Sequence, residues 1–283
     1  MTNFLTPLAI LLMQVGPNPA TGGMPGIPDE LANRPPRAES RSEPQPAQPQ
    51  SSRLGTCLRE ASAMPQSARD TAQRWREEAA SDLDLAQSAH CLGLALVGLQ
   101  QYDEARQTFE LASGEAPPEH PAYAARLAAM AGNAAVAGGN PEAALPLLDT
   151  AGGRAEAAGD KALQADLRVD LARVLVRLGR VDDAAAALAE ARAADAGDAQ
   201  AWLLSATLSR RSENLAEAQS QIERAATLEP RDAAIGLEAG VIAAMAGRDA
   251  DARASFASVI EVAPDSPQAE QAQRYLAQLD AQQ

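Results

Sequence analysis

Residues 86–117 read AQSAHCLGLALVGLQQYDEARQTFELASGEAP, and the spacing of their small and large residues decides the fold. Leu92-Gly93 and Leu96 are followed by Tyr102, Ala105, Phe109, Ala112 and Pro117. The order returns with Gly132, Ala144, Leu148 and Ala151, then with Ala172, Ala184, Leu188 and Ala191. It returns again with Trp202, Ala206, Ala218, Ile222, Ala225 and Pro230, and finally with Gly240, Ala252, Phe256, Val259 and Pro264. Aligned on Ala105, Ala144, Ala184, Ala218 and Ala252, the periods are 39, 40, 34 and 34 residues. Self-similarity at such a period marks a helical solenoid.

Each unit reads as two helices. The small residue of the first helix (Gly93, Gly132, Ala172, Ala206, Gly240) lets its partner approach closely. In the second helix, the central alanine and the large residue four positions on share one face. Turn signals separate the two: Gln100-Gln101, Gly139-Asn140, Gly179-Arg180, Glu213-Asn214 and Gly247-Arg248. Gly and Asn tolerate the left-handed backbone that ends a helix. Pro117, Pro230 and Pro264 close units one, four and five, whereas units two and three carry Glu156 and Ala196 there. Those two units are expected to have helices longer by five or six residues per unit. One such pair cannot bury its apolar face alone, so neighbours must stack.

These residues resemble the tetratricopeptide repeat family over about residues 86–264. The resemblance implies an all-α, right-handed superhelical solenoid of about five helix pairs, near 86–117, 125–156, 165–196, 199–230 and 233–264. It also implies a concave groove lined by the first helix of each pair and a role as an adaptor for peptides or protein partners. Carried over by alignment, the groove face holds Arg126, Asn133, Val169, Arg173, Arg177, Leu203, Thr207, Arg210, Arg211, Leu237 and Val241. The arginines present forks suited to carboxylates, so an acidic or C-terminal protein segment is the expected ligand. Leu203, Leu237 and Val241 would take its apolar side chains. The competing reading pairs these arginines internally with Asp166, Asp170 or neighbouring acids. The lysine and asparagine clamp of the family's chaperone-binding members is absent, since His90 and Leu94 stand at the matching first-unit positions.

Composition agrees with a thin, stacked core. Hydrophobic residues make 46% of the 283 residues but aromatics only 3%, and much of the apolar share is alanine, the best helix former. The net charge of −14 argues against nonspecific nucleic-acid binding, which needs a basic surface.

The front of the chain differs. Residues 4–15, FLTPLAILLMQV, are too short an apolar run to span a bilayer and fit the apolar region of a secretory signal over residues 1–20. The expectation is export to a periplasm, with a cytoplasmic protein as the alternative. Residues 21–54 have the Pro-rich composition of a disordered linker, which sets a boundary near residue 54 and leaves 55–283 to the solenoid. Residues 55–80 read as a degenerate opening pair broken at Pro65, with Trp75 as a buried cap residue. Ala269, Ala272, Tyr275, Leu276 and Leu279 mark a capping helix over 265–281.

Cys57 and Cys91, the only cysteines, lie 34 residues apart, one repeat period. A disulfide would tie the opening pair to the first full unit. The alternative is two buried free thiols, favoured if equivalent positions in stacked units exceed the ~7 Å between alpha carbons that a bridge tolerates. With His90 and His120 they lack metal-site spacing, so no metal or cofactor is expected. No phosphate loop, paired-histidine motif or nucleophile elbow is present, and adjacent His90 and Cys91 point in different directions on a helix. The expected function is a non-catalytic interaction scaffold. Self-association into a structural subunit is the alternative.

Overall fold

Capping residues set where the helices begin. The computed structural model describes residues 52–281, all of them helices and short connections with no strand. The signal segment (1–20) and most of the linker (21–54) lie outside the described residues. The opening pair is α1 (Arg53–Ala63) and α2 (Pro65–Glu77). Repeat one is α3 (Asp82–Gly98) and α4 (Tyr102–Glu115), and repeat two is α5 (Pro121–Ala137) and α6 (Pro141–Ala157). Repeat three is α7 (Lys161–Arg177) and α8 (Val181–Ala194), and repeat four is α9 (Ala199–Arg211) and α10 (Leu215–Leu228). Repeat five is α11 (Ala233–Met245) and α12 (Asp249–Val262), followed by α13 (Pro267–Ala281). Ser52, Ser81, Asn140, Asp160, Asp198 and Asp232 each accept a backbone N–H at a helix start. Such caps satisfy donors that the helix itself leaves free.

The spacing of small and large residues is the packing rule of every repeat. In each, the small residue of the first helix lies sixteen positions before the large residue of the second. A Cβ added at Gly93 would fall 2.5 Å from the Phe109 ring, and one at Gly132 would fall 2.9 Å from Leu148 Cγ. Both distances are too short for carbon atoms, so only glycine lets those helices close. Where the small residue is Ala172 or Ala206, the facing residue is the smaller Leu188 or Ile222. All five large residues, from Phe109 to Phe256, are at most 2% exposed. Gly139, Gly179 and Gly247 turn the chain between paired helices at φ of 82°, 73° and 70°, and Gln100 and Glu213 adopt the same left-handed conformation.

The expected extra length is distributed differently. First helices α3, α5 and α7 have 17 residues against 13 in α9 and α11. Among second helices only α6, with 17, exceeds the usual 14; α8 ends at Ala194 like its counterparts. The connection Asp195–Asp198, with Gly197 N–H bonded to Asp195 Oδ1, stops α8 without proline. The helical unit also starts earlier than the composition suggests, because Leu54 already packs on the cluster of Cys57, Ala72, Trp75 and Cys91.

Neighbouring first helices touch one another (α5 with α7, α7 with α9, α9 with α11), while second helices pack mainly on the first helices to either side. First helices therefore form the inner, more closely spaced layer. At one end α13 covers α11 and α12, with Ala269, Ala272 and Leu279 buried and Tyr275 set 5.3 Å from Phe256. At the other, α1 and α2 lie on α3, and Trp75 is buried beneath Arg53. Cys57 and Cys91 form a disulfide with alpha carbons 6.0 Å apart. Of the two outcomes left open by the sequence, the structure therefore has the bridge. The favoured free thiols fail because α1 lies directly against α3.

Candidate partner-binding site

On α7 and α9, the positions at offsets −6, −2, +1 and +5 from the small residue form one stripe along the helix. On α7 the stripe is Asp166, Asp170, Arg173 and Arg177; on α9 it is Gln200, Leu204, Thr207 and Arg211. The α7 stripe runs from acid to base over about 16 Å, at 1.5 Å per residue. Burial raises the Asp166 carboxyl above the usual range, and the nearby charges of Asp198, Asp170, Asp160 and Asp195 raise it further. The potential at that end is therefore negative.

At the other end it is positive. Arg177 and Arg211 occupy equivalent places on adjacent helices, and neither has a carboxylate within the 4.0 Å of an ion pair among the described residues. Arg173 is held at one nitrogen by Asp170, 2.7 Å away, and among the described residues the rest of its fork is unengaged. Between the arginines an open cavity of about 160 Å³ is lined by Val176, Leu188, Leu204 and Leu208, with Arg173 and Arg211 at its wall. A second, polar cavity of about 210 Å³ lies between α8, α9 and α10 and shares Leu188 and Leu208 with the first. Its buried Gln221 is satisfied: Ser209 Oγ donates to Oε1 at 2.9 Å, and Nε2 donates to Glu217 at 2.8 Å.

The other expected groove residues fall elsewhere. Arg210 is half-buried and engages Glu238 with two nitrogens, at 2.6 and 3.3 Å, so it holds α9 to α11 and is not available to a ligand. Leu203 is a core residue packed with Ala206, Ile222 and Ile235, and Val169 is buried as well. Both point between helices, one position away from the open stripe. Leu237 and Val241 pack toward Phe256 and the α13 end. Arg126 is exposed on α5 at 3.5 Å from Asp160, and Asn133 is exposed on the same helix, outside the cavity. Of the expected residues, the structure brings Arg173, Thr207 and Arg211 together at the cavity, with Arg177 one turn beyond Arg173. The sequence reading missed Val176, Leu188, Leu204 and Leu208 as cavity walls.

His90 is buried with Nδ1 3.1 Å from the Tyr123 hydroxyl, and its Nε2 has no hydrogen-bond partner. Burial alone pushes its imidazole down to about 4 and pushes the Tyr123 phenol up. Neither ring nitrogen reaches Cys91, whose sulfur is bridged. Among the described residues no group of three or more His, Cys, Asp or Glu is placed to hold a metal ion. No described helix is long and apolar enough to cross a membrane.

Two family models described as Tetratricopeptide repeat match residues 135–208 and 203–270. No curated protein matches the sequence. Among solved structures, the chain is similar to PilF of Pseudomonas aeruginosa (TM-score 0.58, 13% identity, 78% of this chain and 95% of that one). It is also similar to BtubC from P. vanneervenii (0.57, 15%, 74% and 91%). A third is YrrB, described as a TPR protein with an unusual peptide-binding site (0.51, 21%, 73% and 99%). At these identities the likeness is one of fold. The two repeat matches together span residues 135–270, and the small-over-large spacing with its buried large residue recurs in all five helix pairs, so these helix pairs are tetratricopeptide repeats.

Proposed function

We propose that the protein is a non-catalytic scaffold that holds an acidic or C-terminal segment of a partner protein against α7 and α9. The observation that carries this reading is Arg211, a cation with no carboxylate partner among the described residues at the wall of an apolar cavity, together with Arg173 on the opposite wall and the equally unpaired Arg177 one turn beyond it, in a chain of net charge −14. Arg173 and Arg177 on α7 and Arg211 on α9 make this end of the seam positive, and a carboxylate held there gains charge-assisted hydrogen bonds. The cavity takes an apolar side chain of the same segment. The repeat architecture supports protein binding in general, and YrrB is a relative in fold described as having a peptide-binding site. The test is the double variant Arg177→Glu/Arg211→Glu. Partner binding should fall at least about tenfold with helicity by circular dichroism unchanged; unchanged affinity refutes the reading. Arg210→Glu is unsuitable, since it breaks the pair with Glu238. Light scattering over a concentration range tests self-assembly, and mass growing with concentration in the absence of partner would favour it.

We further propose that the protein works in an oxidising compartment outside the cytoplasm. The Cys57–Cys91 bridge supports this, because such bridges persist where thiols are not kept reduced. The apolar run at residues 4–15 is consistent with export. Recovery of the native protein with both thiols alkylatable before reduction would refute it.

A further inference from the structure

The chemistry of the segment that fills the cavity can be read further, resting on the groove reading above. First, size. The cavity of about 160 Å³ is walled by Val176, Leu188, Leu204 and Leu208. An apolar cavity of roughly 150 Å³ admits benzene. A valine or leucine side chain would leave part of the volume empty and forfeit dispersion contacts with the far wall.

Second, position. Arg173 and Arg211 line the cavity itself rather than standing apart from it. A carboxylate they hold must be attached close to the group inside. In an extended segment the next residue's side chain points to the opposite face, and the one after is about 7 Å further along. A C-terminal residue carries its side chain and its carboxylate on the same alpha carbon. Third, polarity. Asp166 and Asp170 occupy the start of the α7 stripe, with Asp160, Asp195 and Asp198 acting on Asp166. An anion is repelled there and directed to the arginine end.

We propose that the cavity between α7 and α9 receives the C-terminal residue of a partner protein, an aromatic residue whose ring enters the cavity and whose carboxylate lies between Arg173 and Arg211. Phenylalanine satisfies both requirements. The backbone preceding it leaves along the inner layer.

The experiment titrates the full chain with four fluorescein-labelled peptides, three of sequence SATSAX and one of sequence SATSAFDA, and reads anisotropy. One ends in Phe with a free carboxylate, one in Phe amide and one in Leu with a free carboxylate. The fourth carries Phe followed by an internal Asp and a terminal amide. The Phe acid should bind best, with the amide weaker by about tenfold or more, as expected for a lost charge-assisted hydrogen bond. The Leu acid should bind several-fold more weakly than the Phe acid. Arg211→Glu should abolish the preference for the free carboxylate. Thr207→Met, which places a longer side chain at the cavity mouth, should weaken the Phe acid more than the Leu acid. Equal binding of acid and amide, or of Phe and Leu, overturns this inference. If the internal-Asp peptide binds best and still depends on Arg177 and Arg211, the groove reading survives without it. Failure of every peptide to bind at about millimolar concentration overturns the inference, and indifference of the authentic partner to Arg177→Glu/Arg211→Glu overturns the groove reading itself.

Discussion

Replacing Gly240 by alanine tests the packing rule on which the repeat assignment rests. The added Cβ would lie within 2.8 Å of three atoms of the Phe256 ring, and Phe256 is only 1% exposed. A ring held in a close-packed interior cannot retreat without disturbing its neighbours, among them Tyr275 of the cap. Overpacking of this kind costs about 2–3 kcal/mol, while removing a glycine from a helix interior returns about 1 kcal/mol. The net destabilisation should be about 1–2 kcal/mol. Gly153 is the control: it lies within α6 with nothing inside 4 Å of its added Cβ, so Gly153→Ala should stabilise by about 0.5–1 kcal/mol. Phe256→Leu recreates the Ala172–Leu188 combination of repeat three. In that background Gly240→Ala should cost nothing or stabilise, a coupling of about 1–3 kcal/mol in a double-mutant cycle. Urea unfolding followed by circular dichroism measures the native chain and the four variants. Additivity of the two substitutions, or a stable Gly240→Ala, would refute the argument that glycine is required there by the ring.

Gln100 and Glu213 hold φ of 60° and 61° where the other repeats have glycine, so Gln100→Gly and Glu213→Gly should each raise the unfolding free energy by about 0.5 kcal/mol in the same urea assay. The Cys57→Ser/Cys91→Ser variant should lose up to about 3–4 kcal/mol for a closed loop of 34 residues, and hydrogen exchange should place the loss in α1 and α2. His90 titrates near its ordinary value when unfolded and about 4 when folded, so the unfolded chain binds the extra proton between those values. Its share of stability is therefore complete above about pH 6.5 and is lost as pH falls toward 4, by about 3 kcal/mol at most. His90→Gln should flatten that part of the pH profile relative to the native chain.

The fold was legible because packing in a repeat protein is local. Gly93, Ala105 and Phe109 already specify how one pair closes, and Gly132, Ala172, Ala206 and Gly240 repeat the instruction at a readable period. The turns and the cap followed from the same register. Helix lengths were less legible: without a proline the end of α8 depends on Asp195 and Gly197, whose hydrogen bond is a feature of the folded connection. The site was legible in part. Alignment located the arginine-rich helices, but availability depends on partners across the layer. Glu238, on the next first helix, takes Arg210, while no carboxylate among the described residues takes Arg211. Leu203 and Leu204 differ by one position and by 100° around α9, which separates a core residue from a cavity wall. The cavity lies among side chains of three helices, α7, α8 and α9, and a space between elements is harder to see in a sequence than a residue that is present.

The most direct measurement on the central claim is site-specific photocrosslinking from Thr207, at the mouth of the cavity, in cells that make the protein. The control position is Glu223, exposed on α10. The account predicts an adduct from Thr207 and none from Glu223, mapped by mass spectrometry to an acidic or C-terminal segment of a partner and lost in Arg177→Glu/Arg211→Glu. Equal adducts from both positions, or a Thr207 adduct that persists in the double variant, would contradict it.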